Sequence, residues 1–514
     1  MPFRPEDQPR DVDLLIALLA EKQAEIDHLY GLLKLANDAR FGARSERGCV
    51  VLPDQGMLDL GDLEVLPEAV NDDGGEPEGE ATPRRRARRN IGALPRHFPR
   101  VERIIEPEGQ DCPCCAGALH RIGEDISEAV DWVPARVRVI RTVRPRYACR
   151  QCRGGIVQAP APKRLIEGGM ATTSTLAWIA TMRFAWSVPL NRQMQMLAGQ
   201  GLLLDRSVPV GWMKRVAWWL EGLYQRQLAF IHSQPRIFVD ETRMPVLEKG
   251  RRRTRIGQFW AHAIDDRPWN GPAPPAVIYV YKNGRTKIAA REQLGHYAGI
   301  LQVDGYAVYK ALAKGKPVML AFCLAHARRK FVEAHKKTSS PIALDVIACI
   351  ADIYRVEAEA RGQGADARRA LRQEKSAPRM AELKALLEVT LPQLSTKSAL
   401  YKAMNYMLGH WNGLVRFLDD GRIEVDTNTV ERSMRSVAQG RKSSLFAGSE
   451  AGAHTWAVLA SLLQTARLNG LDPYTWLNDV LERVVSGAVK NHELDQLLAW
   501  NWRPAGHDAM ALAA

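Results

Sequence analysis

No run of about 18 apolar residues occurs in these 514 residues, which excludes a helix that crosses a bilayer. The opening MPFRPEDQPRD also lacks the apolar centre of a secretory signal, so the expectation is a cytoplasmic protein with no membrane partner. Cysteine is scarce. Eight cysteines in a cytosolic chain of this length point to metal ligands or buried thiols, not to a disulfide framework. Acid is in deficit as well, with 58 Asp and Glu against 71 Lys and Arg. The resulting net charge of +13 draws the chain to polyanions, with nucleic acid first among them. The length is too great for one hydrophobic core and predicts three or four domains.

One stretch lacks cations altogether. From Asp54 to Glu80 there are ten acids and no Lys or Arg, interspersed with Gly and Pro, a composition that cannot build a core. Directly after it come eight Arg between Arg84 and Arg103. Residues Arg84, Arg85, Arg86, Arg88 and Arg89 form a block that binds phosphates whatever the base sequence, or else a solvated tail. We assign 49–105 to an acidic, then Arg-rich linker. Ahead of it, Val12, Leu15, Leu19, Lys22, Ile26, Leu29, Leu33 and Ala36 alternate three and four apart. Two readings fit this segment, 1–48: a short coiled coil, or an amphipathic helix packed on its own protein.

The cysteines cluster. Cys112, Cys114 and Cys115 are followed 34 residues after Cys115 by Cys149 and Cys152. With Cys112 and Cys115 as the first pair, two Cys-x-x-Cys knuckles offer the four thiolates that one structural Zn²⁺ prefers. The intervening sequence alternates like two strands, which makes 106–165 a zinc-ribbon-like module. Cys114 leaves the ligand set open, either replacing a neighbour or staying free, and His120 is a further candidate. Cys49, Cys323 and Cys349 lack a paired spacing and read as buried or free thiols.

Residues 166–234 read as short helices joined by turns, either a helical DNA-binding domain or an ordinary helical one. From 235 to 335 the order is clearer: strands at RIFVD, IGQFWAHAI and AVIYVY, a helix, a strand at ILQVD, a brief helix, a strand at VMLAFCLA and a helix at AHARRKFVEAH. Three meandering strands, helix, strand, helix, strand is the order of the RNase H-like fold, an α/β class. In that fold the first and fourth strands are neighbours. An all-helical insertion fills 336–421, the chain returns to the catalytic domain over 422–485, and 486–514 is a C-terminal tail.

Within this frame three acids stand out. Asp240 and Asp304 each terminate an apolar run, and Glu431 lies one turn inside a helix with a polar start, with Asn428 as its cap or as a polar aid beside the acids. Two carboxylates at strand ends and one on a helix can hold a pair of divalent metals about 4 Å apart, the arrangement for in-line attack on a phosphodiester. Asp265, Asp266, Glu241 and Asp426 are acids in similar settings that we read as decoys. His326, Arg328 and Arg329, and then Arg432, Arg435, Arg441 and Lys442, lie in sequence where a DNA backbone would pass the acids; a helix of Arg and His is otherwise a solvated face.

Further short segments stand out in order along the chain: FGARSE, LPRHFPR, IGEDISE, RPRYAC, PLNRQ, VDET, QVDGY, AHARRKF, NTVER, GRKSSLFAGS, SLLQTARLNGLDP and WNW. In these and their order the chain resembles transposases of the insertion sequence 66 family, the TnpC type, over nearly its whole length. Small departures are Leu324, where the family usually has Trp, and Ser443, where Asn is usual. The resemblance implies a DDE transposase with an RNase H-like catalytic domain. Asp240, Asp304 and Glu431 would be its catalytic acids, holding two Mg²⁺, with Mn²⁺ as a substitute. It implies cleavage at the element's 3′ ends and transfer of the freed 3′-hydroxyl to target DNA. The partners it implies are double-stranded DNA, further copies of the chain in a synaptic complex, and two small accessory proteins of the same element, in a bacterial, nucleoid-associated setting. A DNA-binding derivative that keeps the scaffold without strand transfer is the alternative.

Overall fold

Every strand of the central sheet comes from a segment rich in β-branched and aromatic residues. The computed structural model describes residues 160–248 and 254–504, with 137, 139–144, 146–148 and 156–158 besides. The N-terminal helical segment, the linker with Arg84, Arg85, Arg86, Arg88 and Arg89, and Cys112, Cys115, Cys149 and Cys152 lie outside these. The chain divides into two compact units, residues 65–143 and the rest; all elements named below belong to the latter.

Two short strands, β1 (Arg146–Ala148) and β2 (Ile156–Gln158), pair antiparallel. Three helices follow: α1 (Thr173–Phe184), α2 (Leu190–Gly199) and α3 (Ser207–His232). Next come β3 (Arg236–Leu247), β4 (Thr254–Ile264), β5 (Ala276–Lys282), α4 (Lys287–Leu294), β6 (Gly299–Val303), α5 (Ala307–Ala313), β7 (Val318–Phe322) and α6 (Leu324–Thr338). The strands form one mixed sheet in the order β5-β4-β3-β6-β7. β3 and β4, and β4 and β5, are antiparallel; β6 and β7 run parallel to β3. The α/β class and the element order over 235–335 are as the sequence predicts.

Helices α1 and α3 share one hydrophobic cluster with the sheet. Leu176, Ile179, Val216, Leu220 and Ile231 pack with Phe259, Tyr279 and the C-terminal Leu497 and Trp502. The outer edge of β5 is closed by side chains. Val277 and Tyr279 donate their N–H groups to the hydroxyls of Thr465 (3.1 Å) and Ser461 (2.8 Å), and their carbonyls accept from Gln227 and the Tyr224 hydroxyl, both at 2.8 Å.

The insertion is helical: α7 (Pro341–Ala360), α8 (Ala365–Leu371), a π-helical turn at Arg372–Ser376, α9 (Ala377–Thr390), α10 (Ala399–Leu408) and α11 (Trp411–Leu414). It builds a second cluster on α6, with Leu324 and Phe331 meeting Ile350, Leu383, Met404 and Phe417. Glu357 lies buried between two buried arginines, bidentate to Arg372 (2.7 and 2.6 Å) and 3.2 Å from Arg368. Glu357→Ala is expected to cost about 3–5 kcal/mol, because it strands the buried Arg372 without its counter-charge while Arg368 keeps Glu424 at 2.8 Å. Urea denaturation checks it, and a loss under 1 kcal/mol would show the network to be dispensable.

The return to the sheet is held by one amide. Gln302 on β6 accepts from Glu424 N–H (3.0 Å) and donates to its carbonyl (2.8 Å), standing in for a neighbouring backbone. The Leu324 N–H to Val425 carbonyl bond (3.0 Å) continues this docking. It delivers α12 (Asn428–Ser444), followed by α13 (Glu450–Leu468) and α14 (Pro473–Ser486). Among the described residues, no helix is long and apolar enough to cross a membrane.

Candidate active site

Strand β3 does not end at Asp240, contrary to the sequence expectation. It continues to Leu247 because the hairpin with β4 stays paired as far as Leu247 and Thr254, whereas the parallel ladder with β6 stops at Phe238 and Gln302. Two residues beyond that last pair stand Asp240 and Asp304, the latter directly after β6. Asp240 thus sits where one neighbour leaves and the sheet opens. Glu431 lies one turn inside α12, buried, and its Oε1 accepts from the Thr427 hydroxyl at 3.1 Å. Thr427 is the N-cap residue and Asn428 the first helical one, so Asn428 is not the cap. The Asn428 backbone and side-chain amides instead donate to Asp426 at 3.0 and 2.8 Å.

The three acids reach one another electrostatically. The Asp240 carboxyl is pushed up to about 8, first by burial, then by Glu241, Glu431 and Asp304. Low polarity strengthens repulsion between like charges, so the cluster retains a proton unless a cation joins it. Asp240 Oδ1 accepts from Glu241 N–H (2.8 Å) and Asp304 Oδ1 from Tyr306 N–H (2.9 Å), which fixes both carboxyl planes.

Glu241, read from sequence as a decoy, belongs to the cluster. Its side chain is 1% exposed, and it accepts from Arg285 and from the buried Tyr309 hydroxyl. Burial still raises its carboxyl. Arg285 lies flat on Tyr306, 3.8 Å from the ring centre, with Nη2 3.8 Å from Asp304 Oδ2. The remaining decoys are spent elsewhere: Asp265 on Arg267 and Asp266 on Arg236. Asp426 is held up at about 6 by its burial.

A nitrogen and a sulfur complete the surroundings. His326 Nδ1 lies 3.6 Å from Glu431 Oε1, buried and without a hydrogen-bond partner. Cys323 is a buried thiol, as expected, and its Sγ accepts from Thr427 N–H at 3.3 Å. Cys323, His326 and Glu431 each place one ligand atom within 4.8 Å of the others. Hard carboxylate oxygens in repulsion beside an orphaned imidazole nitrogen are a donor set that fits a divalent cation.

The basic candidates divide. Arg432, Arg435 and Lys442 are exposed on α12, and Arg329 is half-buried. Arg328 is 4% exposed, because it shares the inward face of α6 with Leu324 and Phe331, and so does not offer itself to a backbone in solvent. Arg441 is turned to the protein, donating to the Thr242 hydroxyl (3.1 Å) and the Arg243 carbonyl. Sequence reading missed Arg285, Tyr309, Tyr406 and His410. The last two reach from the insertion to the turn after Asp304: His410 Nε2 is 3.2 Å from Gly305 O, and Nδ1 is 2.7 Å from Tyr406 O. Nothing in their local spacing signals this, since 105 residues separate His410 from Gly305.

Compared with known families, residues 168–455 match the description "Transposase IS66 family", which spans the sheet, the acid cluster and the insertion. The chain belongs to the IS66 transposase family. Three further IS66 segments match. Residues 110–153 match the zinc-finger binding domain of transposase IS66 and include Cys112, Cys115, Cys149 and Cys152. Residues 461–500 match the IS66 C-terminal element, and 28–103 the Transposase C of IS166 homeodomain. Similar proteins occur in Sinorhizobium fredii (strain NBRC 101917 / NGR234). The protein y4jD is 54% identical over 512 residues, covering 98% of each chain. The protein y4qI is 39% identical, covering 96% of this chain and 92% of its own. The protein y4hP is 35% identical over 80% and 77%.

Proposed function

We propose that this IS66 transposase is a DDE enzyme that binds the ends of its element and performs metal-dependent DNA cleavage and strand transfer. The observation that supports this most directly is the place of Asp240 and Asp304, each two residues past the last β3–β6 pair, with the buried Glu431 of α12 among the acids that raise the Asp240 carboxyl from 64 and 191 residues away along the chain. The mixed five-stranded sheet and its parallel β3–β6 pair support reading this unit as an RNase H-like domain.

Asp240, Asp304 and Glu431 would hold two Mg²⁺, or Mn²⁺, and His326 is placed to assist at Glu431. Such ions, when bound, lower the pKa of an attacking water or 3′-hydroxyl and neutralise the leaving oxygen. The chain's own groups do the positioning. Thr427 fixes one oxygen of Glu431, the Tyr306 N–H fixes one of Asp304, and Tyr309 with Arg285 holds the Glu241 carboxylate in the cluster. Arg432, Arg435 and Lys442 would steer the DNA backbone along α12. Cys112, Cys115, Cys149 and Cys152 would hold one structural Zn²⁺. The Arg84–Arg89 block would add non-specific DNA affinity. A synaptic complex requires more than one copy, and two accessory proteins are the further partners we infer from the family.

The test is incubation of purified protein with labelled duplexes from the DNA flanking its gene, in Mg²⁺ or EDTA. Nicking and joining in Mg²⁺ that stop in EDTA support the enzyme. Binding alone in Mg²⁺ and in Mn²⁺, unchanged when the neighbouring gene products are added, would leave a DNA-binding derivative.

A further inference from the structure

Glu431 stands between two sets of partners. Its charge acts on Asp240, yet its Oε1 is turned to the Thr427 hydroxyl (3.1 Å) and to His326 Nδ1 (3.6 Å). Among the described residues, Cys323, His326 and Glu431 form a group whose ligand atoms all lie within 4.8 Å of one another, and neither Asp240 nor Asp304 belongs to it. The partner that the cysteine spacing denies Cys323 is therefore a histidine three residues on. Cys323 is the N-cap residue of α6 and His326 lies in its first turn. Glu431 comes from the first turn of α12, and one residue braces both anions: Thr427, the N-cap, donates its N–H to Cys323 Sγ (3.3 Å) and its hydroxyl to Glu431. The positive ends of two helices meet here, a setting that favours anionic ligands. Cys323 and Glu431 are buried, whereas the His326 side chain is 26% exposed and gives an entry path, with Nδ1 itself buried and unpartnered.

The donor set decides the ion. Mg²⁺ takes oxygen ligands and has no use for a sulfur. Thiolate, imidazole and carboxylate together suit Zn²⁺, which accepts three protein ligands and leaves its fourth tetrahedral position to water. Bonds of about 2.0–2.3 Å require the three atoms to draw in by roughly 1 Å. The Thr427 hydroxyl and N–H then serve as the outer hydrogen bonds that orient metal ligands.

We propose that Cys323, His326 and Glu431 form a Zn²⁺ site distinct from the Mg²⁺ pair, and that filling it inactivates the enzyme by taking Glu431 away from Asp240 and Asp304. Binding releases the Cys323 thiol proton to solvent, and the thiolate and carboxylate together balance the charge of the ion. The inhibitory consequence rests on the strand-cleavage reading; the site does not.

The experiment loads the full chain with Co²⁺ in place of Zn²⁺ and records the thiolate-to-Co²⁺ charge-transfer absorbance. The zinc-finger cysteines contribute equally to wild type and to Cys323→Ser, so the difference between the two isolates the site. Cys323→Ser is expected to lower the band by the intensity of a single thiolate. Thr427→Val keeps the N–H on Cys323 Sγ and loses the hydroxyl on Glu431, and should weaken the Co²⁺ responsible for that intensity by about 10–100-fold. In Mg²⁺ with duplexes of the flanking DNA, added Zn²⁺ should slow cleavage by the wild type, and at least roughly tenfold more should be needed for the same fractional loss in Cys323→Ser. An undiminished band in Cys323→Ser overturns the site. Should that variant fail to fold, an unshifted Co²⁺ titration in Thr427→Val overturns it instead. Equal inhibition of wild type and Cys323→Ser overturns the inactivation. A band that depends on Cys323 in a protein that never cleaves in Mg²⁺ keeps the site and sinks the strand-cleavage reading; cleavage in Mg²⁺ without such a band does the reverse.

Discussion

Asp240→Asn is expected to lower Mg²⁺-dependent cleavage by about three orders of magnitude, roughly 4 kcal/mol of barrier, while making the metal-free protein more stable. Both effects have one origin. The Asp240 carboxyl is raised to about 8 by burial and by Glu241, Glu431 and Asp304. A raised carboxyl means that the folded state binds a proton the unfolded chain has released. Its stabilising effect is therefore complete below about pH 4 and is lost as pH rises towards 8. Above that, the folded protein carries the full repulsion. Asn removes this pH slope and should add roughly 1–2 kcal/mol at pH 8 in EDTA, less than the full shift would give because the neighbouring acids relax. With Mg²⁺ the ranking should reverse, since a cation bound to the folded wild type stabilises it by mass action. Urea titrations at pH 5 and pH 8, with and without Mg²⁺, read all four states. A variant that cleaves normally would remove Asp240 from the chemistry, and one with an unchanged pH slope would show that the cluster carries no strain.

Gly305→Ala should reduce cleavage by about two orders of magnitude, although Gly305 has no side chain to lose. A Cβ there would stand 2.2 Å from the Tyr406 hydroxyl and 2.8 Å from His410 Nε2. Tyr406 has little room to yield, since its ring centre lies 4.3 Å from that of His410 and 4.5 Å from Lys330 Nζ. The turn carrying Asp304 must move instead, and displacements of this size are costly at a site that depends on alignment. Adding Tyr406→Ala should return much of the lost rate. That non-additivity is the signature of direct contact, and it would make the helical insertion part of the site. Two independent losses would show that the insertion leaves Asp304 untouched.

The strands were legible because each is a short apolar run bounded by Gly, Pro or charge, and their order followed from the helices between them. Asp304 and the helix of Glu431 could be found from the same punctuation. Glu241 could not be told from a bystander, since its burial depends on Tyr309 and Arg285, 68 and 44 residues away. Arg328 and Arg441 looked like neighbours of solvent, yet packing turned one inward and backbone carbonyl and hydroxyl acceptors captured the other. Helices α1 and α3 read as a region of their own, and only the three-dimensional contacts of Val216 and Ile231 with the sheet reveal a common core. Periodicity reports which side of an element is apolar; it is silent about what that side meets.

The side-chain seal along β5 bears on what becomes of incomplete chains. Thr465 and Ser461 belong to α13, more than 180 residues after the strand whose N–H groups they occupy. A product that stops short of α13 would retain all five strands yet leave the Val277 and Tyr279 N–H donors open at one edge, with only their carbonyls still covered by α3. Such an edge recruits strands from other molecules. Premature termination or frameshift would thus convert a closed sheet edge into a self-adhesive one, and α13 acts as quality control on the sheet encoded before it.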